Sequence, residues 1–211
     1  MKYCVLNVFV LALCLFHPTY GQRTAISSEE FYKAIEITKE PIRFPARSSN
    51  KTELFVSGEL KETTLSQWEG TPNEADHLKV IVTKNGKESI SEEIVFGDFI
   101  YSRTGDGEWK SEPWYFRHGR TEVLTYIIGT PKYWKQSSII DKKAVTIYRE
   151  TILVEISGTK AYRDDEYFFS NSKKLLKQVT TYRSVKSEAI IRRVTFSSEY
   201  DSTIKVVAPI K

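Results

Sequence analysis

"HLKVIVTKNGKESISEEIVF", His77 to Phe96, decides how this chain folds. Asn85-Gly86 stands between two β-rich runs. A type I′ turn needs two successive residues that tolerate positive φ, and Asn-Gly meets that need. Ahead of the turn, Leu78, Val80 and Val82 recur at every second position, so they share one face of a strand. The segment therefore predicts an antiparallel hairpin. On its N-terminal side the same period begins at Thr52, where Leu54, Val56 and Leu60 alternate with Glu53, Phe55, Ser57, Glu59 and Lys61, with Gly58 on the apolar phase. On its C-terminal side "DFIYSRT" reads as a strand, and "GDGEW" reverses the chain. In that stretch Tyr101 and Arg103 share a strand face, while Gly105 and Gly107 permit the turn that brings Trp109 to the apolar edge.

Strands dominate the remainder. "KKAVTIYRETILVEIS" is long, "DEYFFS" and "LLKQVTTYRS" flank the turn "NSKK", and "EAIIRRVTFSSEY" and "TIKVVAP" close the chain. "PARSSNKT" reads as a loop. Near the start, "SSEEFYKAIEITKE" predicts one short helix, capped by Ser27 or Ser28, with Glu29 and Glu30 at the positive end of its dipole. Phe31 and Ile35 fall on one helix face, and Pro41 ends any continuation. "TEVLTYIIGTPKYW" is ambiguous: Val123, Leu124, Ile127 and Ile128 suit a helical stripe, although Thr, Tyr and Ile also favour strand. It is read as a short helix or lid. With about nine to eleven strands, one or two helices and no repeat or linker, the chain predicts a single, mainly β domain, as a barrel, half-barrel or sandwich.

The first residues, "MKYCVLNVFVLALCLFHPTYGQ", have a basic start, an apolar centre and small residues at the exit. This is the layout of a secretory signal peptide, with cleavage expected between Gly21 and Gln22 and a domain over residues 22–211. The run is short for a membrane span, which wants ~20 residues. Lipidation at Cys14 would prefer a small residue where Leu13 stands. Both cysteines lie in the leader, so the exported domain would hold together without disulfides. The chain carries 31 basic and 27 acidic side chains, a formal net charge of +4. Their even spread gives no basic stripe for nucleic acid.

Catalytic and metal signals are sparse. His77 and His118 have no partner at metal-ligand spacing, and neither a G-x-S-x-G elbow nor a Walker glycine loop occurs. "RDDEYF" groups Asp164, Asp165 and Glu166. Neighbours in a strand point to opposite faces, so successive acids do not converge on one atom, and the group is read as a solvated turn. The expectation is a protein with no catalytic residue, metal or cofactor. The aromatic content of 13% is another matter. A curled sheet of this size can enclose more apolar surface than its own side chains fill, and the surplus is a pocket.

"EEIVFGDFIYSRTGDGEW" resembles a pattern in exported bacterial proteins of the LolA-like superfamily, which includes periplasmic lipoprotein carriers and lipid-binding lipoproteins. The matching positions are Glu93, Ile94, Phe96-Gly97, Tyr101, Arg103, Gly107 and Trp109. "DEYFFSNSKKLLKQVTTYR" is similar to the superfamily's aromatic-to-leucine hairpin, and "FSSEYDSTIKVVAPI" to its closing segment. The chain departs from the pattern at "SNSKK", where an aspartate-glycine turn is usual. The G-x-W of "GDGEW" is also similar to that of lipocalins, where it belongs near the first strand. The LolA-like resemblance implies an incomplete antiparallel β-barrel curled around one or two helices, binding acyl chains or lipidated partners on its concave side.

Together these readings set the expectations for function. The chain is expected to be an exported, periplasmic or secreted carrier of a lipid or an acylated protein, monomeric, with at most transient membrane contact. Leu54, Val56, Leu60, Leu78, Val80, Val82 and Tyr101 are the candidate cavity lining. Phe31, Ile35, Val123, Leu124, Ile127 and Ile128 are the candidate lid or plug. The alternative is an envelope interaction module with a filled core and no ligand. In a eukaryotic secretory route, Asn50-Lys51-Thr52 would be a glycan acceptor.

Overall fold

A computed structural model describes residues 22–36, 45–72, 75–113, 125–156 and 158–209. The expected leader, His118, Val123 and Leu124 lie outside the described residues. The chain forms β1 (Thr24–Ala25), helix α1 (Ser28–Ile35), β2 (Ala46–Val56), β3 (Glu59–Gly70), β4 (Asp76–Lys84), β5 (Lys87–Phe96), β6 (Phe99–Thr104) and β7 (Lys110–Pro113). It continues with β8 (Thr125–Ile127), β9 (Lys132–Ile140), β10 (Lys143–Ile156), β11 (Thr159–Ser170), β12 (Leu175–Ser184) and β13 (Ile190–Tyr200). All thirteen strands belong to one antiparallel sheet in the order β1-β9-β10-β11-β12-β13-β2-β3-β4-β5-β6-β7, with β8 beside β10. Two meanders, β2 to β7 and β9 to β13, are thus joined where the last strand of the second pairs with the first strand of the other. β1 and β7 end the path without pairing to each other, so the sheet is open.

Tight turns set the register. Asn85 and Gly86 have φ of 52° and 72°, the doubly left-handed geometry that suits the twist of a two-residue hairpin. Ser57 and Gly58 repeat it at 53° and 82°, and Asp141 and Lys142 at 49° and 63°. α1 is capped by Ser27, whose hydroxyl accepts from the Glu30 amide at 3.1 Å. It buries Phe31 and Ile35 against Phe169, with Tyr133, Tyr148, Tyr167 and Leu175 around them. Phe31 is 1% exposed, and its ring lies 4.9 Å from that of Tyr133. Burying it contributes about 2–3 kcal/mol. A second cluster joins Ile152, Val154 and Ala161 to Ile156 and Tyr182.

Several local expectations change. "PARSSNKT" is not a loop, because β2 begins at Ala46 and pairs with β13 through Ala46–Tyr200. The segment read as a helix or lid contains β8, where Ile127 pairs with Val154; its Thr, Tyr and Ile satisfy the strand preference once β10 offers a partner. "TIKVVAP" forms no strand. There Asp201 accepts from the amide and hydroxyl of Thr203, and Ile204 is buried. β1, β7 and β8 have two to four residues each, too short for periodicity to register, so the strands outnumber the nine to eleven expected.

Candidate functional site

Directly paired residues of neighbouring strands point to the same face. That rule carries the face beneath α1 across the sheet. Tyr167, which packs against Phe31, pairs with Gln178, and the row continues through Phe196, Asn50, Ser66, Val80, Ser91 and Thr104. The adjacent row begins at Asp165 and continues through Thr180, Val194, Thr52, Thr64, Val82 and Ser89. From β12 onward neither row contains a charged side chain. Valine, phenylalanine and hydroxyl groups make up most of this helix-side surface, and none of these residues is fully buried.

The far face is the reverse. Arg47 pairs with Glu69 at 2.7 Å, Lys51 with Glu53 at 2.8 Å and Lys79 with Glu92 at 3.6 Å, and Arg103 also meets Glu92. Three of its arginines lie over aromatic rings: Arg103 over Trp109 at 4.7 Å, Arg183 over Tyr162 at 5.6 Å and Arg193 over Phe55 at 6.0 Å. Burial pushes Glu92 up, but its hydrogen bond and charge interaction with Arg103, aided by Lys79, hold the carboxyl below its ordinary value.

"RDDEYF" lies in the middle of β11 rather than in a solvated turn. The alternation argument still governs it. Asp164 faces Arg149 at 2.8 Å and Arg183 at 2.6 Å on the far side, and Thr151 donates to it. Asp165 faces Arg163 at 2.7 Å and accepts from Thr180 at 2.6 Å on the helix side. Asp164 and Asp165 therefore meet different cations. Burial raises the cost of ionising Asp164, yet Arg183, Thr151 and Arg149 together bring its carboxyl below its ordinary value. Glu150, beneath Tyr32 of α1, is raised: burial dominates, Arg163 opposes it and Asp165 adds to it. Burial and the charges of Asp165 and Glu150 push the neighbouring Tyr167 phenol up to about 12. These groups hold one another in place. Among the described residues no group of three or more histidine, cysteine or acidic side chains could hold a metal ion.

Five of the seven proposed lining residues share the helix side: Leu54, Val56, Leu78, Val80 and Val82. Leu60 and Tyr101 do not. The chain reverses at Ser57-Gly58, and a register shift beside Leu54/Phe55 places Leu60 opposite Phe55 on the far face. Tyr101 pairs with Ile94, also on the far face. Leu54 and Val56 lie toward the sheet margin, 37% and 58% exposed, near the Glu62–Lys84 pair at 3.3 Å. Leu78 and Val80 line a groove of about 610 Å³ with Ser91, Glu93, Ser102, Thr104, Lys110 and the Gly107-Glu108 turn. A more apolar groove of about 590 Å³ lies between Pro45, Thr71-Pro72, Ala75, Phe96-Gly97 and the Ile204–Val207 segment. Of the proposed lid, Phe31 and Ile35 are buried against β11, whereas Ile127 and Ile128 are 62% and 43% exposed. Trp68, Val194 and Phe196 were not anticipated on the helix side. Each stands in a strand of mixed polarity, and only pairing with Leu78, Thr52 and Asn50 reveals its side.

No protein-family model matches the chain, and no curated protein sequence matches it. Among solved structures, it is similar to a LolA superfamily protein from Nitrosomonas europaea. The similarity covers 83% of this chain and 92% of that one, at 11% identity and a TM-score of 0.25. Among the described residues no helix is long and apolar enough to cross a membrane.

Proposed function

We propose that the protein is exported and non-catalytic, and that it holds the hydrocarbon part of a lipid or lipidated protein against the helix-side face of its sheet. The observation that supports this most is the segregation of charge. Ion pairs crowd the far face, while two adjacent rows centred on Val80 and Val82 carry none across six strands. A charge-free, partly exposed surface can accept an acyl chain without stripping water from an ion.

Magnitudes favour a reversible carrier over a trap. A buried methylene contributes ~0.8 kcal/mol. A chain laid on an open face loses about half its hydration, so a dozen methylenes supply roughly 5 kcal/mol, short of the ~8 kcal/mol of micromolar binding. One chain alone would therefore bind weakly, and two chains or an additional polar contact would be needed for stable carriage.

The carrier reading is tested by titrating a fluorescent fatty acid into the delipidated protein. Saturable binding that salt leaves unchanged supports it, and no binding up to the solubility of the probe overturns it. The second reading, an envelope interaction module with a filled core, draws support from Phe31 and Ile35, which are buried beneath α1 against Phe169. Native mass spectrometry separates the two: co-purifying lipid supports the carrier, and a clean apo mass supports the module.

A further inference from the structure

The geometry points to a separate groove for one long-chain carboxylate, a free fatty acid, at the end of the sheet. It lies apart from the helix-side rows and does not depend on the carrier reading.

Strand ends and the last segment of the chain build it. Register aligns Ala46, Gly70, Asp76 and Val95 in one row at the ends of β2 to β5. Just beyond that row, Pro45, Pro72, Ala75 and Phe96 join Ile204 and Val207, from the segment after β13, around a groove of about 590 Å³. Val80 is five residues from Ala75, on the order of 17 Å along an extended strand. The backbone groups of the groove are already engaged. Thr71 donates its amide and its hydroxyl to the Ala75 carbonyl at 3.0 and 3.1 Å, and the Asp201 amide donates to the Pro45 carbonyl at 3.2 Å. Proline has no N–H to satisfy. A hydrocarbon seated there leaves none of these groups unpaired. Phe96 and Val207 are 42% and 67% exposed, so apolar surface remains for an occupant to cover.

Size and charge select the occupant. A methylene takes up about 30 Å³, close to the share of one water in the liquid, so a palmitoyl chain needs roughly 500 Å³ and two chains roughly 1,000 Å³. The groove holds one. Among the described residues that line it, Lys205 alone carries charge. Its ammonium has no ion-pair partner among the described residues. Asp201, the nearest acid along that segment, is held by Arg47 at 3.6 Å and by Thr203 at 2.6 Å. Asp76 and Asp98 follow Ala75 and Gly97 in the chain without lining the groove. One ammonium matches the single charge of a carboxylate, whereas a phosphate monoester carries about −1.5 to −2.

The test photo-cross-links palmitic acid bearing a mid-chain diazirine, or its methyl ester, to the purified protein and maps the label by peptide mass spectrometry. The acid is expected to label the Phe96-Gly97 turn and the Ile204–Val207 segment. At low salt it should do so roughly two- to five-fold more than the ester, the range of an exposed ion pair. At 1 M salt, where the screening length is about 3 Å, that advantage should vanish. Lys205→Gln should remove it too, with labelling by the ester unchanged. Phe96→Asp combined with Val207→Asp should abolish the groove label from both probes. Mapping separates this groove from the helix-side face, whose binding does not depend on salt. Label confined to the strands that carry Val80 and Phe196 overturns the groove and leaves the face standing. Label in the groove alone supports the inference and counts against the face, and no label at either overturns both. Equal labelling by acid and ester at low salt overturns the carboxylate assignment. A dimer in native mass spectrometry that Phe96→Asp dissolves would show that a second copy covers the groove, and it overturns the inference as well.

Discussion

Asp164 and Asp165 are consecutive in β11, yet their carboxylates lie on opposite faces of the sheet, each within 2.7 Å of a different arginine. Strand alternation separates them, and the strands on either side supply the cations: Arg149 from β10 and Arg183 from β12 for Asp164, with Arg163 along β11 for Asp165. The pair therefore bonds β11 to its neighbours on both surfaces. It does not gather acid on one.

Replacing Asp164 with asparagine leaves Arg149 and Arg183 facing a neutral partner in a site where the acid is 2% exposed. Removing one member of a buried ionic cluster costs roughly 3–5 kcal/mol. Urea unfolding at pH 7 should show a loss of that order. Because the folded carboxyl titrates below its ordinary value, the stability it contributes is complete above about pH 3.8 and disappears as pH falls through the depressed folded value. The gap between the parent and Asp164→Asn should close in that acid range. A gap that does not depend on pH would sink the ionic account.

Glu150 has the opposite sign. Its folded pKa is raised, so ionising it costs the native state stability as pH climbs from the ordinary value of 4.5 towards the folded one. Glu150→Gln keeps an acceptor for Tyr32 and does not titrate. Its stability relative to the parent should improve between pH 4 and pH 7, read from urea midpoints at both. A relative decline over that interval would show that Arg163, rather than burial, governs the site.

Phe31 provides the anchor of α1. Phe31→Ala should cost about 3–5 kcal/mol, the usual penalty for emptying a packed aromatic site. Ser27→Ala, which removes only the cap, should cost about 1 kcal/mol. If thermal melts show equal, small losses, α1 contributes little to the native core.

Face assignment gives the sharpest binding prediction. Val80→Lys and Val82→Lys place charge on the uncharged rows and should each weaken fatty-acid binding at least about ten-fold. Leu60→Lys and Tyr101→Lys act on the far face and should leave it within two-fold. Loss of binding with Leu60→Lys but not with Val80→Lys would reverse the proposed side.

The residues alone specified most of the local architecture. Asn85-Gly86 demanded a tight hairpin, Leu78, Val80 and Val82 announced their common side, and Ser27 or Ser28 with Phe31 and Ile35 defined a short capped helix. Each follows from backbone sterics or from a repeat within a few residues, which any one segment contains in full. Tertiary structure decided what depends on a partner strand. It showed that "RDDEYF" lies mid-strand with Asp164 and Asp165 buried, because the cations of Asp164 come from β10 and β12. It turned Leu60 away from Leu54, because a two-residue reversal and one extra residue change the phase. It placed Trp68, Phe196 and Val80 on one surface, because the side of a strand is set by pairing, and pairing is a relation between distant segments that no local pattern contains.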